Sequence, residues 1–372
     1  MKTRKKISAA TRTNFLTYLG VILAFAFLQG NYNNLSNSLQ GQLVPVCAYI
    51  VVALSLNLTV GIMGELSLGH AGFMSVGAFS GAVASAALKY HGMTSAPLRL
   101  TAALVVGAIF AGVVGLLISV PVLRLNGDYL AIVTLAFGQI IKSVLENLYV
   151  AIDRRGLHVK FLENFTAADF APPVEGKKGA SILLNGANGV YVGKDTISTF
   201  VAGFILIMVT LAIIFNLVNS RSGRAIMAVR DNRIAAESVG LNVTKYKMMA
   251  FVVSAALAGA AGALYALGQN KIVASKFDFN TSILILVYVV LGGLGNMWGS
   301  IIAAAFLTVL PETAAMRGLQ DYRMLIYAII LILVMLATNN PLLSRFFTGL
   351  KEKIKFKGKG KEKGGVRQLV SA

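Results

Sequence analysis

The sequence predicts an all-α polytopic membrane protein with about eight to ten transmembrane helices, some of them broken or re-entrant. The chain has 372 residues, of which 56% are hydrophobic and 13% are charged, and its mean hydropathy is +0.72. Apolar runs recur along it, and most are long enough to cross a hydrocarbon core about 30 Å thick. This composition is typical of an integral membrane domain rather than of a soluble globular protein.

The basic residues are unevenly distributed and indicate one side of the membrane. The chain carries 34 Lys and Arg against 15 Asp and Glu, a formal net charge of +19. They concentrate in the N-terminal segment 1–14, in segment 219–247 and in the tail 344–372. The positive-inside rule predicts that all three are cytoplasmic. Separated basic segments of this kind favour contact with membrane lipids over nucleic-acid binding, and the Lys/Gly-rich tail is predicted to be disordered.

The apolar runs divide a transmembrane domain over 15–343 into consecutive candidate spans. In chain order they cover 15–28, 43–63, 66–88, 98–120, 129–150, 197–218, 248–268, 281–310 and 323–338. The first run follows a basic start, as in a signal peptide, but no small-x-small cleavage site comes after Leu28. An uncleaved first span is the favoured interpretation.

Topology requires a break in the run 281–310. A single straight crossing there would place the basic tail outside, because an even number of crossings must follow segment 219–247. Gly292, Gly293 and Gly295 interrupt the run, and glycines favour a bend or break in a helix. We therefore predict a broken pair of spans or a re-entrant hairpin. The same count places 151–196 outside the membrane, as an external loop that is irregular in part and large enough to form a small cap.

A glycine-rich segment after Met63 carries ionisable groups beside an apolar run. Glu65, Ser67 and His70 lie within it, and charged or polar groups at membrane depth are costly unless they are paired or hydrated. Irregular backbone there is tolerated only against protein or a water-filled cavity, so the segment is a candidate pathway lining. The alternative is that Glu65 and Ser67 cap a helix, with His70 packed and hydrogen-bonded.

The candidate translocation pathway combines the two Gly-interrupted segments with one polar residue of the fifth span. Its residues are Glu65, Ser67, His70, Gln139, Gly292, Gly293 and Asn296.

Motifs for catalysis or for a bound cofactor are missing from the sequence. There is no G-x-x-x-x-G-K-[ST] loop for ATP and no H-E-x-x-H pair, and the single cysteine, Cys47, excludes a disulfide within the chain. We therefore predict no catalytic residue, no metal and no cofactor. Active transport by such a chain would draw energy from a partner protein or from an ion gradient.

Segment 219–247 is long for a connection between two spans and reads as two short helices. Ser222 is expected to cap the first, which runs through Arg230, and Asp231 or Asn232 the second, which stops at Gly240. Amphipathic helices of this kind dock in a groove of another protein. The alternative is a helix held on the membrane surface by lipid phosphates.

The pattern Ala235-Ala236-x-x-x-Gly240 resembles the E-A-A-x-x-x-G loop of bacterial ABC importer permeases, with Ile234 in place of the motif's Glu. A closer resemblance, to LivM-type permeases of branched-chain amino-acid importers, covers most of the chain in the family's order. It rests on Leu54–Phe73, Gly127–Gly138, Gly223–Gly240 and Leu291–Gly299.

The resemblance implies a permease subunit that moves branched-chain amino acids inward across the bacterial inner membrane. Its partners would be a second, homologous permease, two ATPase subunits that hydrolyse the ATP, and a periplasmic binding protein. Arg230, Ala235, Ala236 and Gly240 would form the contact with the ATPase. Urea and short amides are alternative substrates within the family. An ion-coupled secondary transporter, with Glu65 or Glu146 binding the ion, is the alternative from a different class.

Overall fold

The computed structural model describes residues 9–34, 36–123, 125, 127–153, 156–166, 169–170, 181–192, 197–310, 325, 329 and 332. The predicted span 323–338 is almost wholly outside these residues. The predicted tail 344–372 and the first eight residues of the N-terminal segment lie fully outside them.

Eleven α-helices account for most of the described chain. They are α1 (Ala9–Gly30), α2 (Asn37–Asn57), α3 (His70–Tyr90), α4 (Ala96–Val122), α5 (Asp128–Glu146), α6 (Phe200–Asn219), α7 (Arg221–Asp231), α8 (Arg233–Ser238), α9 (Val243–Leu267), α10 (Phe279–Gly292) and α11 (Met297–Val309). Seven helical segments of the described residues are long and apolar enough to cross a membrane. The predicted polytopic, predominantly helical fold is confirmed.

Close backbone contacts hold the centre of the bundle together. Helix α9 packs against both α3 and α4, and the three approach so closely that a Cβ atom added at Gly77 would overlap the backbone of Gly259. Gly77 and Gly81 are four residues apart on α3 and both lie against α9. Small residues at this spacing let helix backbones approach closely within a membrane. By contrast, α4 exposes large apolar side chains such as Phe110 and Leu117, as expected for a lipid-facing surface.

Two irregular segments interrupt the bundle. Helix α2 continues as a π-helical turn, Leu58–Met63, which ends at Gly64 with a φ of 80°, and α3 begins only at His70. Helix α10 ends at Gly292, and α11 begins at Met297. The two helices pack against each other, so the predicted break at Gly292–Gly295 is present as a helical hairpin.

The segment predicted as a partly irregular external loop contains a small antiparallel sheet. Strands β1 (Leu148–Asp153), β2 (Gly156–Phe161) and β3 (Ser181–Asn185) form a sheet in the order β2-β1-β3. Strand β4 (Val190–Tyr191) pairs with β5 (Lys271–Ile272), which follows α9. The fifth span therefore ends at Glu146 instead of near 150, because the apolar residues that follow pair as β1. We call this end of the bundle the sheet end.

Candidate coupling and pathway site

Helices α7 and α8 lie between α6 and α9, and polar side chains fix their ends. Ser220 Oγ accepts a 3.0 Å hydrogen bond from the backbone N–H of Gly223, so Ser220 caps α7 and the expected cap at Ser222 is wrong. Asn232 Oδ1 accepts a 3.0 Å hydrogen bond from Ala235 N and caps α8. Beyond α8, Gly240 adopts a φ of 83°, a conformation typical of the residue that follows a helix.

The inner face of this helix pair is apolar and packs on the bundle. Val229, Ala236 and Val243 form a buried cluster, against which Leu241 packs. Ala236, predicted as a contact residue for an ATPase, is only 4% exposed in this structure. Its small side chain therefore lets α8 lie close to α7 and the start of α9.

The outer face of α8 presents apolar side chains to the surroundings of the bundle. Ile234 is 80% exposed and Val239 75% exposed, and Ala235 and Gly240 are exposed as well. Arg233 Nε donates a 3.0 Å hydrogen bond to Glu237 Oε1 one turn later. Exposed apolar side chains held on a fixed helix are a feature of surfaces that bind a partner protein.

Arg230 joins α7 to the irregular segment after α2. Its Nη1 donates a 3.0 Å hydrogen bond to the carbonyl oxygen of Gly61, and its Nε and Nη2 donate to Asp231 Oδ1 at 3.1 and 2.9 Å. The aliphatic part of the side chain lies so close to Gly64 that a Cβ there would overlap it. The predicted coupling residue thus contacts the membrane domain directly.

Glu65 forms an ion pair with Lys247 of α9. The two side chains are 12% and 7% exposed, and a buried charge is costly unless it is paired. This pair holds the segment between α2 and α3 against the first turns of α9, on the same side of the bundle as α7. Neither Glu65 nor Ser67 caps α3, because Gly69 occupies its N-cap position and no side chain caps it.

A buried polar network connects α2, α3 and α9. His70 Nε2 lies 2.7 Å from Ser254 Oγ, and His70 Nδ1 lies 3.3 Å from Ser67 Oγ. Thr59 Oγ1 donates to Ser254 Oγ at 2.9 Å, and Ser254 Oγ donates to the carbonyl oxygen of Ser55. Since the Ser254 proton is used in this way, His70 Nε2–H donates to Ser254 and Ser67 donates to Nδ1. His70 is therefore a packed, hydrogen-bonded residue, although the network also adjoins the irregular segment.

Asn57 ties α2 to the α10–α11 hairpin. Its Oδ1 accepts a 2.8 Å hydrogen bond from Gly295 N, and its Nδ2 donates to Ser300 Oγ at 2.9 Å. Gly295 has a φ of 79° and Gly293 a φ of 91°, conformations that favour glycine at this tight turn. The side chain of Asn57 is fully buried, so both hydrogen bonds are needed to satisfy its amide.

The predicted pathway residues fall into two groups and one outlier. Glu65, Ser67 and His70 lie together beside α9, while Gly292, Gly293 and Asn296 form the hairpin turn. Gln139 is half-buried in α5, and within the described chain no hydrogen bond joins its side chain to either group.

Sequence reasoning missed three polar residues that connect these elements: Asn57, Thr59 and Ser254. All three are fully buried inside membrane-length helices. Their position inside apolar runs is the one sequence feature that could have indicated them. The sequence does not show which of these polar side chains face one another.

The described residues contain no group of three or more His, Cys, Asp or Glu side chains placed to hold a metal ion.

A bundle of membrane-length helices, interrupted by two irregular segments and joined to a pair of surface helices, is the architecture of a polytopic membrane permease. The chain belongs to the family described as "Branched-chain amino acid transport system / permease component", which it matches over residues 38–335.

Curated relatives agree with this membership. The chain is 34% identical, over 77% of its length, to the permease proteins LivM of Salmonella typhimurium and of Escherichia coli, both named for high-affinity branched-chain amino acid transport. It is 24% identical, over 80% of its length, to the Escherichia coli permease LivH, of which 91% is covered. The match spans 66% of the length of each LivM protein. No solved structure matches the chain.

Proposed function

We propose that this chain is a membrane-spanning permease subunit of an ATP-driven importer, and that it moves branched-chain amino acids inward across the bacterial cytoplasmic membrane. Both termini and the α7–α8 segment would lie in the cytoplasm, and the sheet end outside. Family membership and the names of the relatives support the substrate class. The absence of a P-loop from the full sequence supports an ATPase on separate subunits.

The observation that carries the proposal is the two-sided character of α8. Its inner face is fixed to the bundle through Ala236, while Ile234 and Val239 on its outer side are 80% and 75% exposed. Two large apolar side chains in the predicted cytoplasmic region would be covered by a partner. An ATPase groove that receives this helix would bury them, as the resemblance to ABC importer permeases implies.

Two contacts would transmit a displacement of α7 and α8 to the membrane domain. Arg230 bonds to Gly61 in the π-helical turn, and Lys247 pairs with Glu65 in the following segment. Closure of two ATP-bound ATPase subunits would displace α7 and α8 and, through these contacts, the segment 61–69. The hairpin turn would follow, because Gly61 lies directly against the backbone of Gly295. In this mechanism the bundle alternates between outward-facing and inward-facing states.

The complete importer would contain a second, homologous permease and a periplasmic amino-acid-binding protein. Both LivM and LivH are similar to this chain, which supports a pair of related permeases. The substrate would pass between them, near the segments around Glu65 and Gly295. The ion-coupled alternative needs a carboxylate that can bind an ion, but Glu65 is already paired with Lys247 and Glu146 lies 3.8 Å from Lys142.

Reconstitution of the purified complex in liposomes tests this function. Vesicles would contain ATP on the ATPase side and the binding protein outside, and uptake of radiolabelled leucine, isoleucine, valine, urea and acetamide would be measured. We expect uptake of the three amino acids to depend on ATP and to continue when ion gradients are dissipated by ionophores. Uptake by the lone chain driven by a gradient, or uptake confined to urea and acetamide, would contradict the proposal.

A further inference from the structure

The sheet end contains a cavity of about 380 Å³ that belongs to neither of the segments described above. It lies where the end of α3 and the start of α4 meet β3 and β4. Helix α3 and strands β3 and β4 contribute apolar side chains to its wall, among them Ala82, Leu183 and Val190. A cavity of this size, whose wall is apolar and polar in similar measure, can hold a small organic ligand that carries both kinds of group.

A buried arginine lines this cavity. Arg99 is 7% exposed, and its guanidinium is bonded to neutral oxygens of Ser85: Nε donates to the carbonyl oxygen at 3.3 Å and Nη2 to Oγ at 3.1 Å. Among the described residues, no carboxylate pairs with Arg99. Next to it, Leu100 packs in a buried apolar cluster with Ala103 and Leu267, so the charge lies in a poorly solvated environment.

A buried guanidinium is destabilising unless an anion pairs with it. None of the described residues that line the cavity is acidic. Ser181 and Tyr191 lie at its rim. Strand β3 is at the edge of its sheet, so part of its carbonyl groups point away from β1 and are available to accept hydrogen bonds from an ammonium group.

We propose that this cavity is a binding site for a free apolar amino acid, whose carboxylate pairs with Arg99 and whose side chain lies against the apolar wall. The guanidinium can hold a carboxylate with two parallel hydrogen bonds, which a point charge cannot do. This inference rests on the proposed function for the choice of an amino acid, and it places a substrate site at the sheet end, remote from the α7–α8 segment.

Equilibrium binding to the purified complex tests the site directly. Radiolabelled leucine would be titrated onto the complex in nanodiscs without the binding protein and without ATP. We expect Arg99→Gln to weaken leucine binding at least about tenfold, and Arg99→Lys to recover part of the loss. Leucinol, which lacks the carboxylate, should compete at least about tenfold less well than leucine. Lys142→Gln is the matched control, since it removes a positive charge from the same end of the bundle outside the cavity and should leave binding unchanged.

Ser85→Ala is a second, milder variant, which removes one hydrogen bond that orients Arg99 and should weaken binding without unfolding the protein. Leucine binding that is equal in the wild type and Arg99→Gln, or leucinol that competes as well as leucine, would overturn the proposal. Arg99-dependent binding of anionic lipid, together with no detectable leucine binding in neutral lipid, would also overturn it, because a headgroup phosphate would then be the ligand of Arg99. Wild-type uptake of leucine in liposomes separates the two claims: it tests the proposed function and is independent of these outcomes.

Discussion

Arg230 of α7 donates a hydrogen bond from Nη1 to the carbonyl oxygen of Gly61 at 3.0 Å, across 169 positions of sequence. Gly61 in turn lies so close to Gly295 that a Cβ atom on Gly61 would overlap the Gly295 backbone. The surface helix α7 therefore contacts the π-helical turn, and the π-helical turn contacts the hairpin turn. Such a chain of contacts is a physical route by which a displacement of α7 reaches both irregular segments.

The first prediction concerns the Arg230 contact. Arg230→Ala removes the hydrogen bond to Gly61, a contact worth about 1.5–3 kcal/mol because its donor is charged. We expect the ATPase to remain bound and active, while leucine transported per ATP hydrolysed falls about tenfold. Uptake and phosphate release would be measured in the same liposomes.

Arg224→Ala is the control for charge, because Arg224 lies on the same helix and its Nη1 donates to the Asn219 carbonyl oxygen instead of to Gly61. An equal loss in both variants would assign the effect to net charge instead of to the contact.

The second prediction concerns the exposed apolar face of α8. Ile234→Asp places a charge where an apolar partner surface is expected, so co-purification of the ATPase should drop at least about tenfold while the permease itself stays folded. Val159→Asp is the matched change, since Val159 is 58% exposed on β2 at the sheet end. Retention of the ATPase by the Ile234 variant would show that this face is not the contact.

The third prediction concerns the turn after α8. Gly240 has a φ of 83°, and nothing lies within 4 Å of a Cβ atom built there, so Gly240→Val strains the backbone by about 1–2 kcal/mol without a steric clash. We expect α8 to shift and transport to become uncoupled from ATP hydrolysis. Gly240→Asn should retain most coupling, because Asn tolerates this conformation better. The ratio of leucine uptake to phosphate release, measured for both variants, distinguishes them.

The fourth prediction concerns the contact between α3 and α9. Gly77→Val forces the two backbones apart, and over-packing of this kind costs at least about 1–3 kcal/mol. Folded protein recovered from membranes in mild detergent should fall severalfold, as measured by size-exclusion chromatography. Gly41→Val should have little effect, because nothing lies within 4 Å of a Cβ at that position. Equal recovery of the two variants would argue against close packing at Gly77.

The fifth prediction concerns pH and the segment 151–196, which is predicted to be external. The hydrogen bond from Lys160 Nζ to Asp169 Oδ1, at 2.6 Å, together with the hydrogen bonds from Thr166, lowers the pKa of Asp169 from 3.8 to about 2. Because the pKa of this carboxyl is lower in the folded segment, its ionised form stabilises the fold at pH values above the unfolded-state pKa. That stabilisation is lost as pH falls from about 4 through about 2. Limited proteolysis with pepsin should therefore cleave the segment faster as pH falls across this interval.

Asp169→Asn removes this titration. The variant should be cleaved faster than the wild type at pH 4, and the difference between them should shrink toward pH 2. A constant difference across the interval would mean that Asp169 does not titrate there.

The spans and their interruptions could be predicted from local chemistry. Apolar runs of membrane length give helices because hydrogen bonds within a helix satisfy its backbone without water. Gly293 and Gly295 marked the hairpin because both need a positive φ. The three-stranded sheet β2-β1-β3 was less predictable. Leu148 and Val150 continue an apolar run, and their pairing with Phe161 and Leu184 depends on residues far along the chain.

The candidate site was predicted in part, and the missing part was geometric. The sequence indicates Glu65 and His70 because ionisable residues next to membrane spans need partners, and Arg230 because it lies in the segment that resembles the ATPase contact of ABC importer permeases. Their partners Lys247, Ser254 and Gly61 are not indicated, because hydropathy does not reveal which faces of α2 and α9 meet. Arg99 was missed for the same reason: it reads as an ordinary basic residue near the start of a span.

By itself, the sequence determined that this protein spans a membrane, where its helices break and that a basic helical segment lies between two spans. These properties follow from segment length, glycine conformation and helix capping, each of which acts over a few residues. Only the tertiary structure decided that Arg230 contacts Gly61, that Ala236 faces inward while Ile234 faces outward, and that Arg99 lines a cavity beneath β3. Those relationships depend on helix rotation and packing, which are set by close contacts between distant residues such as Gly77 and Gly259.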